Sequence, residues 1–180
     1  MIARGTTAHA LLVPAAIVLG CIALAARPPA TVTATLVVAA VGAIGVLAPL
    51  PVRQQSHPAA PSLPAVVALG VLTFLVARFA ATPLRTPVVP LAAGATIVAA
   101  VAEELFFRRL VYGWLAPAGD PLAIFGAAGL FAVVHIPVYG IRALPVDLAA
   151  GVLFGWQRWA TGGWIASGLT HAAANVLQLL

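Results

Sequence analysis

Two adjacent glutamates, Glu103 and Glu104, are the most unusual feature of this very apolar sequence. They make up half of its four acidic residues, and Arg108 follows Glu104 by four positions in the segment VAEELFFRRLVYGW, residues 101–114. Because one helical turn brings positions i and i+4 together, the spacing predicts that Arg108 neutralises Glu104. Neighbouring residues on a helix point about 100° apart, so this arrangement suits one fixed anion beside one working base.

Histidine and asparagine supply further polar groups in the apolar second half of the chain. His135 follows Phe131 by four positions, and Asn175 follows His171 by four, so each pair lies on one face of its helix. A histidine can act as a base, an acid or a ligand, and an asparagine amide can donate to a developing oxyanion. Side chains from three helices could therefore meet around one water molecule. The candidate site residues are Glu103, Glu104, Arg108, His135, His171 and Asn175.

The composition determines what kind of element must carry these residues. The chain is 63% hydrophobic and 7% charged, whereas a soluble domain is about a quarter charged, so the sequence predicts an integral membrane protein. A bilayer accepts only helices or closed barrels, and the long runs of Ala, Val and Leu lack the alternation of barrel strands. The predicted fold class is all-α, a polytopic transmembrane helical bundle of about seven helices. The nine arginines are spread along the connections, which indicates membrane topology and no nucleic-acid partner.

Proline, glycine and arginine divide the chain into seven predicted spans. The stretch 49–64 is polar and proline-rich and predicts a loop, and 81–87 is predicted to be a short connection. Residues 1–87 are predicted to form N-terminal transmembrane helices without motifs. The first span is expected to be retained, although residues 1–26 also have the pattern of a cleaved signal peptide. The predicted spans are residues 9–26, 31–50, 65–81, 88–115, 122–135, 148–160 and 164–180.

Each polar residue also has an interpretation that involves no chemistry. A charged side chain at the bilayer centre costs about 2.5–3.5 kcal/mol, so these groups are expected to pair inside the bundle or to reach water. Arg109 is expected to extend from its helix to the membrane surface, and Phe131 is expected to pack. His171 and Asn175, taken alone, could serve as hydrogen-bonding residues between helices.

Three other residues are assigned structural roles. Asp120 lies in a turn rich in Pro and Gly, where an aspartate commonly bonds its own backbone. Asp147 precedes an apolar run and is predicted to be a helix N-cap. Cys21, the single cysteine, is expected to pack in its apolar helix.

Three short motifs together resemble a known family. EELFFR (103–108), FAVVH (131–135) and HAAAN (171–175) resemble the EExxxR, FxxxH and HxxxN motifs of the CAAX-protease and bacteriocin-processing family of intramembrane proteases, and they occur in the family's order. The resemblance covers residues 88–180 and implies a CAAX protease/Abi-like catalytic membrane domain there. Residues 1–87 resemble the family only as membrane helices.

The resemblance also implies roles for the site residues. Glu103 would be the catalytic carboxylate and would activate the attacking water together with His135. His171 and Asn175 would stabilise the oxyanion of the tetrahedral intermediate, and Glu104 and Arg108 would support the site. A metal-free mechanism without cofactors is favoured, because asparagine is a poor zinc ligand and no HExxH sequence is present. The alternative is a catalytic zinc bound by Glu103, His135 and His171.

The predicted function is that of an intramembrane endopeptidase in a bacterial plasma membrane, crossed several times by the chain. Its partners would be the lipid bilayer and a peptide or membrane-protein substrate, and the sequence predicts no oligomeric state. Two other functions remain open at this stage. One is a catalytically idle scaffold or assembly factor of the same family, and the other is a small transporter subunit whose buried Glu and His relay protons.

Overall fold

The computed structural model of the protein describes residues 5–28, 32–48, 61–80 and 90–179. Within these ranges every regular element is a helix, which confirms the all-α class. A π-helical segment, Leu105–Val111, joins α4 to α5, so that the three form one continuous helix. The described residues therefore contain seven continuous helices, the number that the sequence predicts. The helices are α1 (Gly5–Ala25), α2 (Val32–Leu47), α3 (Leu63–Ala80), α4 (Pro90–Glu104), α5 (Tyr112–Leu115), α6 (Asp120–Tyr139), α7 (Leu144–Thr161) and α8 (Ile165–Leu177).

Two of the described helices are long and apolar enough to cross a membrane. These are α3, with a mean hydropathy of 2.1, and α6, with a mean hydropathy of 2.0. The outer surface of α3 carries large apolar side chains such as Leu72 and Phe79, both of which are exposed. A surface of this kind is unfavourable in water and suits contact with lipid chains.

Helix α6 extends further at both ends than the predicted span 122–135. It begins at Asp120 and continues through Pro137 to Tyr139, where Gly140 ends it with a φ of 83°. The predicted end at residue 135, near Pro137, is four residues too early. The proline lies in the last turn, so the helix continues for only two residues beyond the missing backbone donor. Gly140 has a φ of 83° and a ψ of 165°, a backbone conformation that glycine adopts far more readily than residues with a Cβ.

Helix α7 starts earlier than the predicted span 148–160. It begins at Leu144 and has Pro145 in its first turn, where the missing N–H of a proline would have had no helical partner. The predicted N-cap, Asp147, therefore lies inside the first turn, and the N-cap position is occupied by Ala143. The predicted start is too late because Pro145 was interpreted as a helix breaker within a connection. A proline is tolerated in the first turn of a helix.

Two helix boundaries in the first half of the chain also differ from those predicted. Helix α2 ends at Leu47, three residues before the end of the predicted span, and α3 begins at Leu63, inside the predicted loop 49–64. The connection at 81–87 and most of that loop lie outside the described residues. Cys21 packs partly buried against the apolar core, as expected.

Glycines allow α2 to lie directly against the segment that carries the glutamates. A Cβ atom on Gly45 would be 2.5 Å from the carbonyl oxygen of Leu105, and one on Gly42 would be 2.6 Å from the Cβ of Ala102. Small residues at helix contacts are typical of membrane bundles. Arg109 strengthens this contact by donating to the carbonyl oxygens of Gly45 and Ala48 at the end of α2. Its position at the membrane surface stays a prediction.

Candidate active site

Glu103 lies at the centre of a buried polar cluster where four parts of the chain meet. Only 4% of the residue is exposed. Its Oε1 is 3.1 Å from Arg27 Nη2 and 3.7 Å from His135 Nε2, and its Oε2 is 3.9 Å from His171 Nε2. Helices α4, α6 and α8 therefore bring together three of the four residues that the sequence predicted to be catalytic. The remaining partner of Glu103 is Arg27, which lies two residues after the end of α1.

Glu104 has a different environment, although it is adjacent to Glu103 in sequence. Its Oε1 is 3.0 Å from Arg108 Nη1, the ion pair predicted from the spacing, and it also accepts a hydrogen bond from His171 Nδ1 at 3.0 Å. Arg108 and Glu104 are both fully buried. A buried carboxylate with two charge-assisted contacts is held in one position, so Glu104 is the fixed anion of the pair.

The Arg108 guanidinium is surrounded by aromatic rings and by one backbone acceptor. It lies 4.7 Å from the ring centroid of Phe131 and 5.1 Å from that of Phe154. Its Nη2 donates to the carbonyl oxygen of Gly151 in α7 at 3.0 Å. Cation–π contacts of this kind are stronger when the cation is desolvated, so Arg108 joins three helices behind the glutamates.

The π-helical segment begins immediately after Glu104. A π turn places residues differently around the helix axis from an α turn, and such turns are frequent at functional sites. The segment contains Arg108, whose backbone carbonyl accepts a hydrogen bond from Arg158 Nε at 3.1 Å. Arg158 is buried and lies over the ring of Tyr112. Arg158 therefore holds the backbone of the π-helical segment in place at Arg108.

The hydrogen bonds of the two histidines determine which ring nitrogen carries the proton. His135 Nδ1 is 2.7 Å from the carbonyl oxygen of Phe131, and His171 Nδ1 is 3.0 Å from the Glu104 carboxylate. Both partners can only accept, so we assign the hydrogen to Nδ1 in each ring. In the neutral form each Nε2 then has a lone pair directed toward Glu103. The separations of 3.7 and 3.9 Å exceed a direct hydrogen bond and suit a bridging water.

Phe131 packs, as the sequence predicted, and its contacts are with the site itself. Its ring centroid lies 4.5 Å from that of His135 and 5.8 Å from that of His171. Phe154 stacks on His171 at 4.9 Å. These aromatic rings restrict the rotation of both imidazoles and keep the surroundings apolar.

Among the described residues, Asn175 is hydrogen-bonded to the backbone of α4 and not to Glu103, His135 or His171. It is half-buried, and its Nδ2 donates to the carbonyl oxygen of Thr96 in α4 at 3.2 Å. Thr96 lies seven residues, about two helical turns, before Glu103. Asn175 lies on the same face of α8 as His171, and in this structure it joins α8 to α4 through this hydrogen bond.

Arg27 is the site residue that the sequence reasoning missed. It is 8% exposed, and within the described residues its Nη1 has no hydrogen-bond partner. In the sequence, Arg27 is one of the nine arginines interpreted as indicators of membrane topology. The distribution of charged residues around the two glutamates could have indicated Arg27. Glu104 has a cation four residues away whereas Glu103 has none, so a buried Glu103 requires an arginine from elsewhere in the chain.

Two aspartates differ from their predicted roles. Asp147 is partly buried, its Oδ2 has no partner in the described ranges, and it lies within electrostatic range of Glu103, His135 and Arg27. Asp120 accepts a hydrogen bond from Trp159 Nε1 at 3.0 Å, which links α6 to α7. The carboxylate of Asp120 therefore bonds a neighbouring helix, where the sequence predicted a bond to its own turn.

The residues proposed as zinc ligands fit a divalent cation poorly. No group of three or more His, Cys, Asp or Glu side chains in the described parts of the chain is arranged to hold a metal ion. The physical reason lies in Arg27, whose guanidinium is 3.1 Å from Glu103 Oε1. A metal bound to that carboxylate would have a cationic neighbour, and the repulsion would weaken binding.

Comparison with known families places the site in context. A family model described as type II CAAX prenyl endopeptidase Rce1-like matches residues 85–177, just over half of the chain. The match includes all three motifs and excludes α1, α2 and α3, and thus also Arg27. Neither the curated proteins nor the solved structures include a match to this chain.

Proposed function

This chain belongs to the Rce1-like family of type II CAAX prenyl endopeptidases, and from that premise we propose that it hydrolyses a peptide bond of a membrane-associated or secreted precursor. The observation that carries the proposal is the arrangement of His135 and His171 around Glu103. The Nε2 atoms lie 3.7 and 3.9 Å from the two oxygens of Glu103, separations that a water molecule bound to that carboxylate can bridge. Such a water would be oriented by donating one hydrogen to Glu103 and the other to the Nε2 of one histidine.

The proposed reaction is a general-base attack of this water on the substrate carbonyl. Glu103, with His135, takes a proton from the water while the water oxygen bonds to the carbonyl carbon and the C=O electron pair moves to oxygen. The electron pair then returns, the C–N bond breaks, and the proton passes to the leaving nitrogen. His171 and Asn175 are proposed to contact the oxyanion, and Glu104 and Arg108 to hold His171 and the helix in place.

We propose that the reaction requires no metal ion, because the negative charge of Glu103 is already balanced by Arg27 at 3.1 Å. We also propose that the protein acts in the plasma membrane of a bacterium. The absence of lysine and the many Ala, Gly, Pro and Val residues in the sequence suggest a GC-rich bacterial genome.

The test is cleavage of an internally quenched, farnesylated CAAX peptide by the full chain in proteoliposomes. We expect the wild type to cleave the peptide and Glu103→Gln to lose cleavage while keeping its helical circular dichroism. Asp120→Asn makes the same carboxylate-to-amide change away from the cluster and is expected to keep cleavage. A substrate-trapping pull-down with Glu103→Gln would then identify the native substrate.

Three results would contradict parts of this proposal. Cleavage at the wild-type rate by Glu103→Gln would remove Glu103 from the chemistry. No cleavage by the wild type, together with no peptide trapped by Glu103→Gln, would favour an idle scaffold. Loss of proton transport in vesicles of Glu103→Gln, again without any cleavage, would favour a proton relay.

A further inference from the structure

Arg27 has one nitrogen whose function the ion pair with Glu103 does not explain. Its Nη2 pairs with Glu103, whereas its Nη1 is buried and has no partner in the described ranges. Leaving a buried N–H group of a cation without an acceptor is energetically unfavourable. A ligand atom that accepts this N–H would remove the cost.

The oxyanion of the proposed reaction can accept a further hydrogen bond besides those proposed for His171 and Asn175. A tetrahedral intermediate needs N–H groups directed at its oxyanion. The amide of Asn175 donates one of its two N–H groups to the carbonyl oxygen of Thr96, which leaves one for the oxyanion.

We propose that Arg27 is a catalytic residue whose Nη1–H donates to the oxyanion during peptide hydrolysis. This inference rests on the proposed function and deepens it. As the water oxygen bonds to the carbonyl carbon, the C=O electron pair moves to oxygen, and that oxygen accepts the hydrogen bond from Nη1. When the C–N bond breaks, the pair returns to form the carbonyl group, and Arg27 stays protonated throughout.

The reach of the guanidinium distinguishes this role from recognition of a substrate terminus. Nη1 and Nη2 are bonded to the same carbon, and Nη2 is 3.1 Å from the Glu103 carboxylate. A group on Nη1 therefore lies next to the base. The terminal carboxylate of a peptide cut three residues from its end lies roughly 10 Å from the cut, at about 3.3–3.6 Å per residue. Only the reacting oxygen is close enough.

The charge of the site also favours an oxyanion over a permanent anion. Before the attack, Arg27 and Glu103 neutralise each other, so the buried cluster has no excess positive charge for a bound carboxylate. During the attack, Glu103 gains a proton and the carbonyl oxygen gains the negative charge. Arg27 then pairs with the new charge at the moment when its first partner becomes neutral, which is stabilisation specific to the transition state.

The test measures binding of two probes in proteoliposomes that hold the full chain. One probe is the farnesylated CAAX peptide, and the other is its phosphinic analogue, a tetrahedral anion at the position of the scissile bond. The variants are Glu103→Gln and the double change Arg27→Met with Glu103→Gln. The double change removes both charges, so no unpaired charge stays buried. Arg142→Met with Glu103→Gln changes an exposed arginine and is the matched control.

We expect the Arg27→Met double variant to bind the phosphinic peptide about 100- to 1,000-fold more weakly than Glu103→Gln, the cost of one oxyanion donor. Affinity for the ordinary peptide should not change, and the control should keep both affinities. Equal phosphinic affinities, or an equal loss for both probes, would overturn the role of Arg27 while wild-type cleavage left the proposed function intact. Absence of wild-type cleavage would overturn both.

Discussion

The two adjacent glutamates show how one peptide bond can separate two carboxylates with different environments, to which the proposed mechanism assigns support and reaction. Glu104 is enclosed by Arg108 and His171, both at 3.0 Å, whereas the histidine nitrogens nearest Glu103 are 3.7 and 3.9 Å away. Tight contacts hold a carboxylate in place, and the wider spacing leaves room for water. Residue chemistry alone is the same at both positions, so their surroundings determine their roles.

Loss of the Glu104 charge is expected to affect the fold first. Glu104→Gln leaves the fully buried Arg108 without its counter-charge, a change that typically costs about 3–5 kcal/mol. Thermal unfolding in detergent micelles, followed by circular dichroism, should show this loss. The double variant Glu104→Gln with Arg108→Met should recover most of the stability. Equal stability of Glu104→Gln and the wild type would contradict the buried ion pair.

Metal removal is expected to leave activity unchanged. Because Arg27 balances Glu103, a chelator such as 1,10-phenanthroline at millimolar concentration should not reduce cleavage of the farnesylated CAAX peptide. Elemental analysis of the purified protein should find far less than one metal ion per chain. Inhibition by the chelator that added zinc reverses would support the zinc alternative instead.

Helix contacts explain why some site residues could be predicted from sequence and others could not. The Glu104–Arg108 pair and the inward faces of α6 and α8 follow from a four-residue period, which is local. Arg27 depends on how α1 packs against α6 and the π segment, 76 residues before Glu103, and no local period reports this. Asn175 had the right spacing but bonds Thr96, because the close packing of α8 on α4 decides its partner.

The close approach of α7 to α6 gives a prediction at the level of elements. A Cβ on Gly151 would lie 2.9 Å from the Cα of Ala128, and the carbonyl oxygen of Gly151 accepts from Arg108. Gly151→Ala should therefore destabilise the protein by about 1–3 kcal/mol and reduce cleavage, because the support for Arg108 moves. Gly129→Ala has no atom within 4 Å of the new methyl. It is expected to be neutral or slightly stabilising, and an equal effect of both changes on thermal unfolding would contradict this packing.

At the scale of the whole molecule, the helices outside the family match take part in the core and in the site. Leu24 of α1 is fully buried in the main apolar cluster, close in sequence to Arg27. Helix α2 lies against the glutamate-bearing segment through Gly42 and Gly45. The motifs therefore lie in the second half of the chain, whereas the residues packed around them come from both halves.

The docking of α1 can be tested by a pair of leucine changes. Leu24→Ala should cost about 2–5 kcal/mol of stability and reduce cleavage, because it loosens the helix that ends next to Arg27. Leu19→Ala changes a residue of the same helix that is 64% exposed and is expected to have little effect on either quantity. Unfolding temperature and cleavage rate should be measured on the same preparations. A similar loss in both variants would contradict the docking of α1.

The ion pair between Arg27 and Glu103 also constrains how the protein is made. Arg27 leaves the ribosome 76 residues before its partner, which at about 5–20 residues per second corresponds to roughly 4–15 s of translation. During that interval the guanidinium has no counter-charge and must stay near the lipid headgroups. We therefore expect the first helix to reach its final position only after the glutamate helix has been synthesised, and the polar cluster to be complete only when α6 and α8 have followed.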